Sequence, residues 1–141
     1  MKSPLEAIYR EALDLTRETR DYLTYSRSLP VNRSEGLDSE ESLTVSCEVM
    51  RMTTRLLEVM SWLMAQKAVH QGEAHSDGEP FMPLRLSCDD ICMKEMELPE
   101  KTDPGIVNLY SKSLQLYQRI RRLDANLDQT LARMERKSSG E

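Results

Sequence analysis

His70 and His75, together with Cys88 and Cys92, are the residues whose types could hold a metal or do nucleophilic work, and Asp89 and Asp90 lie between the thiols. A zinc ion would take such thiolates and imidazoles in a tetrahedral set. The spacing speaks against it, because neither pair forms the tight knuckle that structural zinc uses. A catalytic imidazole would need a nucleophile within reach and a third group to orient it, and no such pairing is supplied. There is no glycine-rich phosphate loop, no nucleophile elbow and no His-Glu-x-x-His helix. The residues read as surface or structural histidines and unremarkable thiols. No catalytic residue, metal ligand or cofactor is expected, and the chain does not read as an enzyme.

Cations offer the next chemistry. Arg119, Arg121 and Arg122, with Lys112, could contact phosphate. The chain nevertheless carries a net charge of −5 with a pI near 5.2, and no helix-turn-helix signature precedes these arginines. A solvated arginine face pairing with nearby acids is the plainer reading. A DNA- or transcription-factor-binding regulator stands as the alternative function.

The elements that position these residues are helical. The 141 residues suit one domain, with 39% hydrophobic and 30% charged content, the balance of amphipathic helices with narrow apolar stripes. Three cysteines make no secreted disulfide framework and fit a reducing cytosol. The N-terminus has no apolar signal core, and the longest apolar cluster, 56–64, is far short of the roughly 20 residues that span a bilayer. A cytoplasmic protein without membrane contact is expected.

Helices are predicted near 4–26, 39–71 and 103–136, packed as an antiparallel three-helix bundle with no sheet. The bundle occupies 1–137, and 138–141 is expected to be a disordered tail. Ser3, Pro4 and Glu6 form the first helix start, and Asp103 with Pro104 the last. Asp38 or Ser39 caps the middle helix. That helix carries a 3-4 spacing through Leu43, Cys47, Met50, Thr54, Leu57, Ser61, Met64 and Ala68, a heptad-type seam. Its small or polar members predict close approach of another helix. Around 56–64 the helix is apolar on most of its circumference, more than two neighbours in a small bundle need to cover. Leu56, Val59, Met60, Trp62 and Leu63 are therefore assigned to packing or to a homodimer contact. The long connector 73–103 is acidic and contains Pro80, Pro83 and Pro99, with a short extended piece expected at 82–86.

The central helix also carries Thr53-Thr54-Arg55-Leu56, Ser61-Trp62-Leu63, Gln66-Lys67-Ala68-Val69 and Gly72-Glu73. Further features are Leu84-Arg85-Leu86 in the connector, Leu98-Pro99 before the last helix and Arg122-Leu123-Asp124 within it. In these stretches the chain resembles the RcdA family, the alphaproteobacterial regulators of CtrA degradation, over most of its length. The resemblance implies a homodimeric three-helix bundle acting as a protease adaptor. It implies binding to a ClpXP protease primed by a CpdR-like adaptor, recruitment of a PopA-like adaptor, delivery of substrates such as CtrA, and a polar location in the cell. Exposed charges on the second and third helices, Arg51, Arg55, Lys67, Arg119 and Arg122, are the expected working surface.

Overall fold

The structure, a computed structural model, describes residues 4–28, 36–70, 86 and 89–139, with side chains described over 5–25, 36–68, 86 and 89–126. It contains α1 (Pro4–Ser28), α2 (Ser39–His70), α3 (Asp89–Cys92) and α4 (Pro104–Ser139). No strand occurs among the described residues, so the chain is an all-α bundle. The short α3 was not expected; it lies inside the connector. The extended piece at 82–86 lies outside the described residues except Leu86. Helix α4 continues past Lys137 to Ser139.

The caps form as the residue types dictate. Asp38 Oδ1 accepts from the Glu41 N–H at 2.7 Å, and Glu41 Oε1 accepts from the Asp38 N–H at 3.1 Å. This reciprocal box satisfies two backbone donors at the start of α2. At α4, Asp103 Oδ1 accepts from the Gly105 N–H at 3.0 Å. Gly105 has a second role: a Cβ built there would lie 2.4 Å from the Tyr22 ring, so the missing side chain lets the end of α1 press onto the start of α4.

Cross-helix contacts give the directions. Lys67 of α2 sits 4.5 Å over the Tyr9 ring, whereas Leu23 lines a groove with Thr53, so α1 and α2 are antiparallel. Arg119 pairs with Glu11 at 2.6 Å and Lys112 with Glu18 at 3.8 Å, so α1 and α4 are antiparallel too. The expected antiparallel order stops there. Glu48 meets Tyr110 and Trp62 meets Asp124, so α2 and α4 run in the same direction. Two neighbouring helices can be parallel only if the chain returns the length of the bundle between them. The connector does this: Leu86 lies by Asp124, Cys92 by Arg55 and Met96 by Tyr110.

The core gathers Ala12 and Leu15 from α1, Met52, Leu56, Val59, Trp62 and Leu63 from α2, Cys92 from α3, and Leu109, Leu116, Tyr117 and Ile120 from α4. Each fully buried large side chain contributes about 1.5–3 kcal/mol. Trp62 donates its indole N–H to Asp124 Oδ1 at 2.9 Å. The bond satisfies an indole that is only 4% exposed, and it sets the register of α2 against α4.

Candidate interaction surfaces

The inner polar cluster comes first, because it removes residues from the list of available ones. Arg55 was expected at the surface; it is 0% exposed. Its Nε–H donates to the Cys92 carbonyl at 2.6 Å and an Nη2–H to the Lys94 carbonyl at 2.7 Å. Its guanidinium carbon stands 4.6 Å from the centre of the Tyr110 ring. A planar fork that meets two carbonyls and stacks on an aromatic face suits arginine and not lysine. Tyr110 donates its hydroxyl proton to buried Glu48 at 2.7 Å and accepts from the Met96 N–H at 3.3 Å. Glu48 also accepts from Arg51 Nε at 3.1 Å, and Arg51 Nη1 donates to the Ile91 carbonyl at 2.9 Å. Among the described residues of the connector few backbone bonds occur, so its carbonyls need donors. Arg51 and Arg55 supply them, and Glu48 offsets their charge. Both arginines therefore hold the connector, and Arg55 is removed from any contact surface.

The α3 end is held by a second set. Asp89 accepts from the Tyr117 hydroxyl and from Arg121 Nε, the latter at 3.1 Å. Burial tends to raise the Asp89 pKa, but the Tyr117 hydrogen bond and the Arg121 charge outweigh it and hold the carboxyl below its ordinary value. Burial, reinforced by the hydrogen bond and charge of Asp89, drives the Tyr117 phenol well above its ordinary range. Cys92 is buried in the core. The side chains of His70, His75 and Cys88 lie outside the described residues.

The other expected surface cations divide. Lys67 is half-buried over Tyr9. Arg119 is partly exposed and bound to Glu11. Arg122 is exposed on α4. Lys112 and Arg121 carry acid partners as well. The basic stripe proposed for phosphate is thus largely matched by Glu11, Glu18 and Asp89. The α1–α4 groove of about 430 Å³ contains both signs, with Glu11, Asp14 and Glu18 facing Lys112 and Arg119.

Leu56, Val59, Trp62 and Leu63, assigned to packing or dimer contact, are buried within the single chain, and Met60 packs against that core. The connector and α4 cover the sides of α2 that had seemed in excess. What remains uncovered is the opposite face. Leu43, Met50, Leu57 and Met64 are 65%, 70%, 68% and 57% exposed. They occupy one position of the heptad, with Cys47, Thr54, Ser61 and Ala68 at the other. Beside them an apolar groove of about 290 Å³ opens between α1 and α2, lined by Thr16, Thr19, Leu23, Thr53, Leu57 and Met60 among others.

Tyr110 was read as part of the apolar face of the last helix, but Glu48 and its bond to the Tyr110 hydroxyl were missed, although a signal was available. Glu48, Arg55 and Trp62 recur every seven residues along a core-facing line of α2. Charged residues on such a line call for buried partners.

Comparison with known proteins adds three findings. The family model described as "Protein of unknown function (DUF1465)" matches residues 1–139. A solved structure, RcdA from Caulobacter crescentus CB15, is 31% identical with a TM-score of 0.62, covering 89% of this chain and 92% of that one. No curated protein matches the chain.

Proposed function

The chain belongs to the RcdA family, and on that premise we propose that it is a non-catalytic adaptor for regulated proteolysis. The likeness to RcdA along nearly the whole chain, in sequence and in fold together, carries this reading. Its inner chemistry supports it. The buried polar groups Glu48, Arg55, Tyr110, Trp62 and Asp124 bond one another or the connector, which is a structural use. The outer faces offer partners a charged groove, an exposed arginine and an apolar ridge.

In this reading the protein helps deliver cell-cycle regulators such as CtrA to ClpXP primed by a CpdR-like adaptor, with a PopA-like adaptor as a further partner. It works in the cytoplasm, at the cell pole. The physical action is tethering. Holding a substrate beside the protease raises its effective concentration without new covalent chemistry. Arg122, with Arg119 at the groove, lies at a charged rim where side chains steer encounter more than they set affinity.

Reconstituted degradation tests the proposal. With ClpXP, the priming adaptor and a candidate substrate, adding this protein is expected to raise the rate of substrate loss. An unchanged rate across several CtrA-type substrates, together with no capture of the protease, overturns it. A DNA- or transcription-factor-binding role would instead show as DNA retention that falls steeply with salt.

A further inference from the structure

We infer that the groove between α1 and α4 recognises an arginine side chain presented by a partner protein, with Asp14 as the anchor. The inference goes beyond the adaptor reading and does not rest on it, because it concerns what the groove binds and its test uses a free peptide.

The groove has three rungs. Glu11 holds Arg119 at 2.6 Å and Glu18 holds Lys112 at 3.8 Å. Residues 11, 14 and 18 share one face of α1, and 112, 115 and 119 one face of α4, because positions three and four apart are neighbours on a helix. The antiparallel register of the two outer pairs therefore brings Asp14 opposite Gln115, and both line the groove. Each outer rung is an acid with a base. The middle rung is an acid with an amide.

Asp14 is thus an acid with no base across from it. It is exposed, and among the described residues neither a hydrogen bond nor an ion pair engages its carboxylate. Arg10 and Arg17 stand on the same helix, yet neither lines the groove. Three acids against two bases leave one negative charge in excess, at the centre. A cation from outside complements it.

The surroundings choose which cation. Leu15 and Leu116, 7% and 2% exposed, lie under the middle rung. A guest must cover this floor with an apolar stem and carry its charge at the tip, as arginine and lysine both do. The acceptors separate the two. The Asp14 carboxylate offers two oxygens on one wall, and Gln115 can turn its amide oxygen from the other. A planar guanidinium with five donors meets such acceptors together, whereas an ammonium is a strongly hydrated point charge. At about 430 Å³ the groove has room for that side chain. It runs open along both helices for about 10 Å from Glu11 to Glu18, at about 1.5 Å per residue, so a polypeptide can lie across it. Free arginine would bring its own carboxylate toward three acids. An arginine inside a peptide does not.

The probe is the peptide acetyl-Ala-Leu-Arg-Leu-Ala-amide, titrated into the isotope-labelled full chain and followed by amide NMR shifts. Saturable shifts confined to 11–18 and 112–119 are expected at millimolar peptide. A citrulline peptide keeps the shape and loses the charge, and is expected to bind about tenfold more weakly. A lysine peptide is expected to lose about threefold. Asp14→Asn is expected to weaken the arginine peptide about tenfold with helical circular dichroism retained. Asp21→Asn makes the same change of net charge at an exposed acid of α1 outside the groove, and is expected to leave binding unchanged. Gln115→Lys supplies the missing base from within the chain and is expected to abolish binding. No saturable shift with the arginine peptide, or equal binding of the citrulline peptide, overturns the site. Asp14→Asn or Gln115→Lys without effect, or Asp21→Asn with an equal effect, overturns the anchor. A lysine peptide that binds as well as the arginine one overturns the preference for a guanidinium.

Discussion

Helices α1 and α2 both turn one face to the core, yet their solvent faces are opposites. The exposed positions of α1 include Glu6, Arg10, Glu11, Asp14, Arg17, Glu18, Arg20 and Asp21, whereas α2 exposes Leu43, Met50, Leu57 and Met64 in their place. The α1 face is an ordinary hydrated surface whose ion pairs to α4 contribute little each. The α2 face leaves apolar area in water. Bordered by such different surfaces, the same bundle carries a charged, hydrated side and an exposed apolar one. The difference also explains why apolar circumference alone left Leu56, Val59, Met60, Trp62 and Leu63 open between packing and a dimer contact; they pack in the core of the single chain. On α2 both faces are apolar, and only packing separates them.

Variants can break this comparison in order of effect. The largest loss is expected on the inner face of α2, where Trp62→Ala removes a buried ring and leaves Asp124 without the indole donor. About 3–5 kcal/mol should go, read as a lower urea midpoint. Arg55→Ala comes next. It strips the Cys92 and Lys94 carbonyls of their donors and upsets the balance of a buried charge cluster, with an expected cost of about 3 kcal/mol. Amide hydrogen exchange over 92–96 should quicken more than in α2. If exchange there is unchanged, the clasp does not hold the connector.

Gly105→Ala is expected to cost about 1–3 kcal/mol, because the new methyl overlaps the Tyr22 ring and α1 must shift against α4. Thermal unfolding reads it directly.

A smaller effect follows from Asp89. Its folded pKa lies below the ordinary 3.8, so its bonds to Tyr117 and Arg121 contribute fully above that value and are lost as pH falls through the folded pKa. Tyr117 has the opposite sign. Its raised pKa means the contribution is present below the ordinary 10.0 and is lost as pH rises through the folded value. Asp89→Asn should flatten the acid limb of the stability curve below about pH 4, and Tyr117→Phe the alkaline limb. The smallest effect belongs to the α1 surface. Glu18→Ala should stay within about 0.5 kcal/mol of the parent, read as an unchanged urea midpoint.

Much of the bundle was legible before any coordinates. The Asp103-Pro104 start could be read from adjacent residue types and its cap forms, while the α2 cap was left between Asp38 and Ser39 until the reciprocal Asp38–Glu41 bonds chose Asp38. The seam of α2 was legible as a periodic stripe, because helical spacing is local. The short α3 was not, since a single turn such as Asp89–Cys92 makes too few local bonds to announce itself. The parallel run of α2 and α4 was not legible either, because it depends on the path of a connector with no periodic pattern.

By itself the sequence determined the helical class, the Asp103 cap, the lack of catalytic motifs and the family likeness, all carried by short-range spacing and residue chemistry. Only the tertiary structure decided which apolar face of α2 turns inward and what became of its charges. Arg55 looked like a surface cation because arginine is costly to bury. It is buried because carbonyls 37 and 39 residues further along the chain, with the Tyr110 ring, come to meet it. Desolvation is a price set by the groups that finally surround a charge, and those groups are neighbours in space that spacing along the chain does not encode.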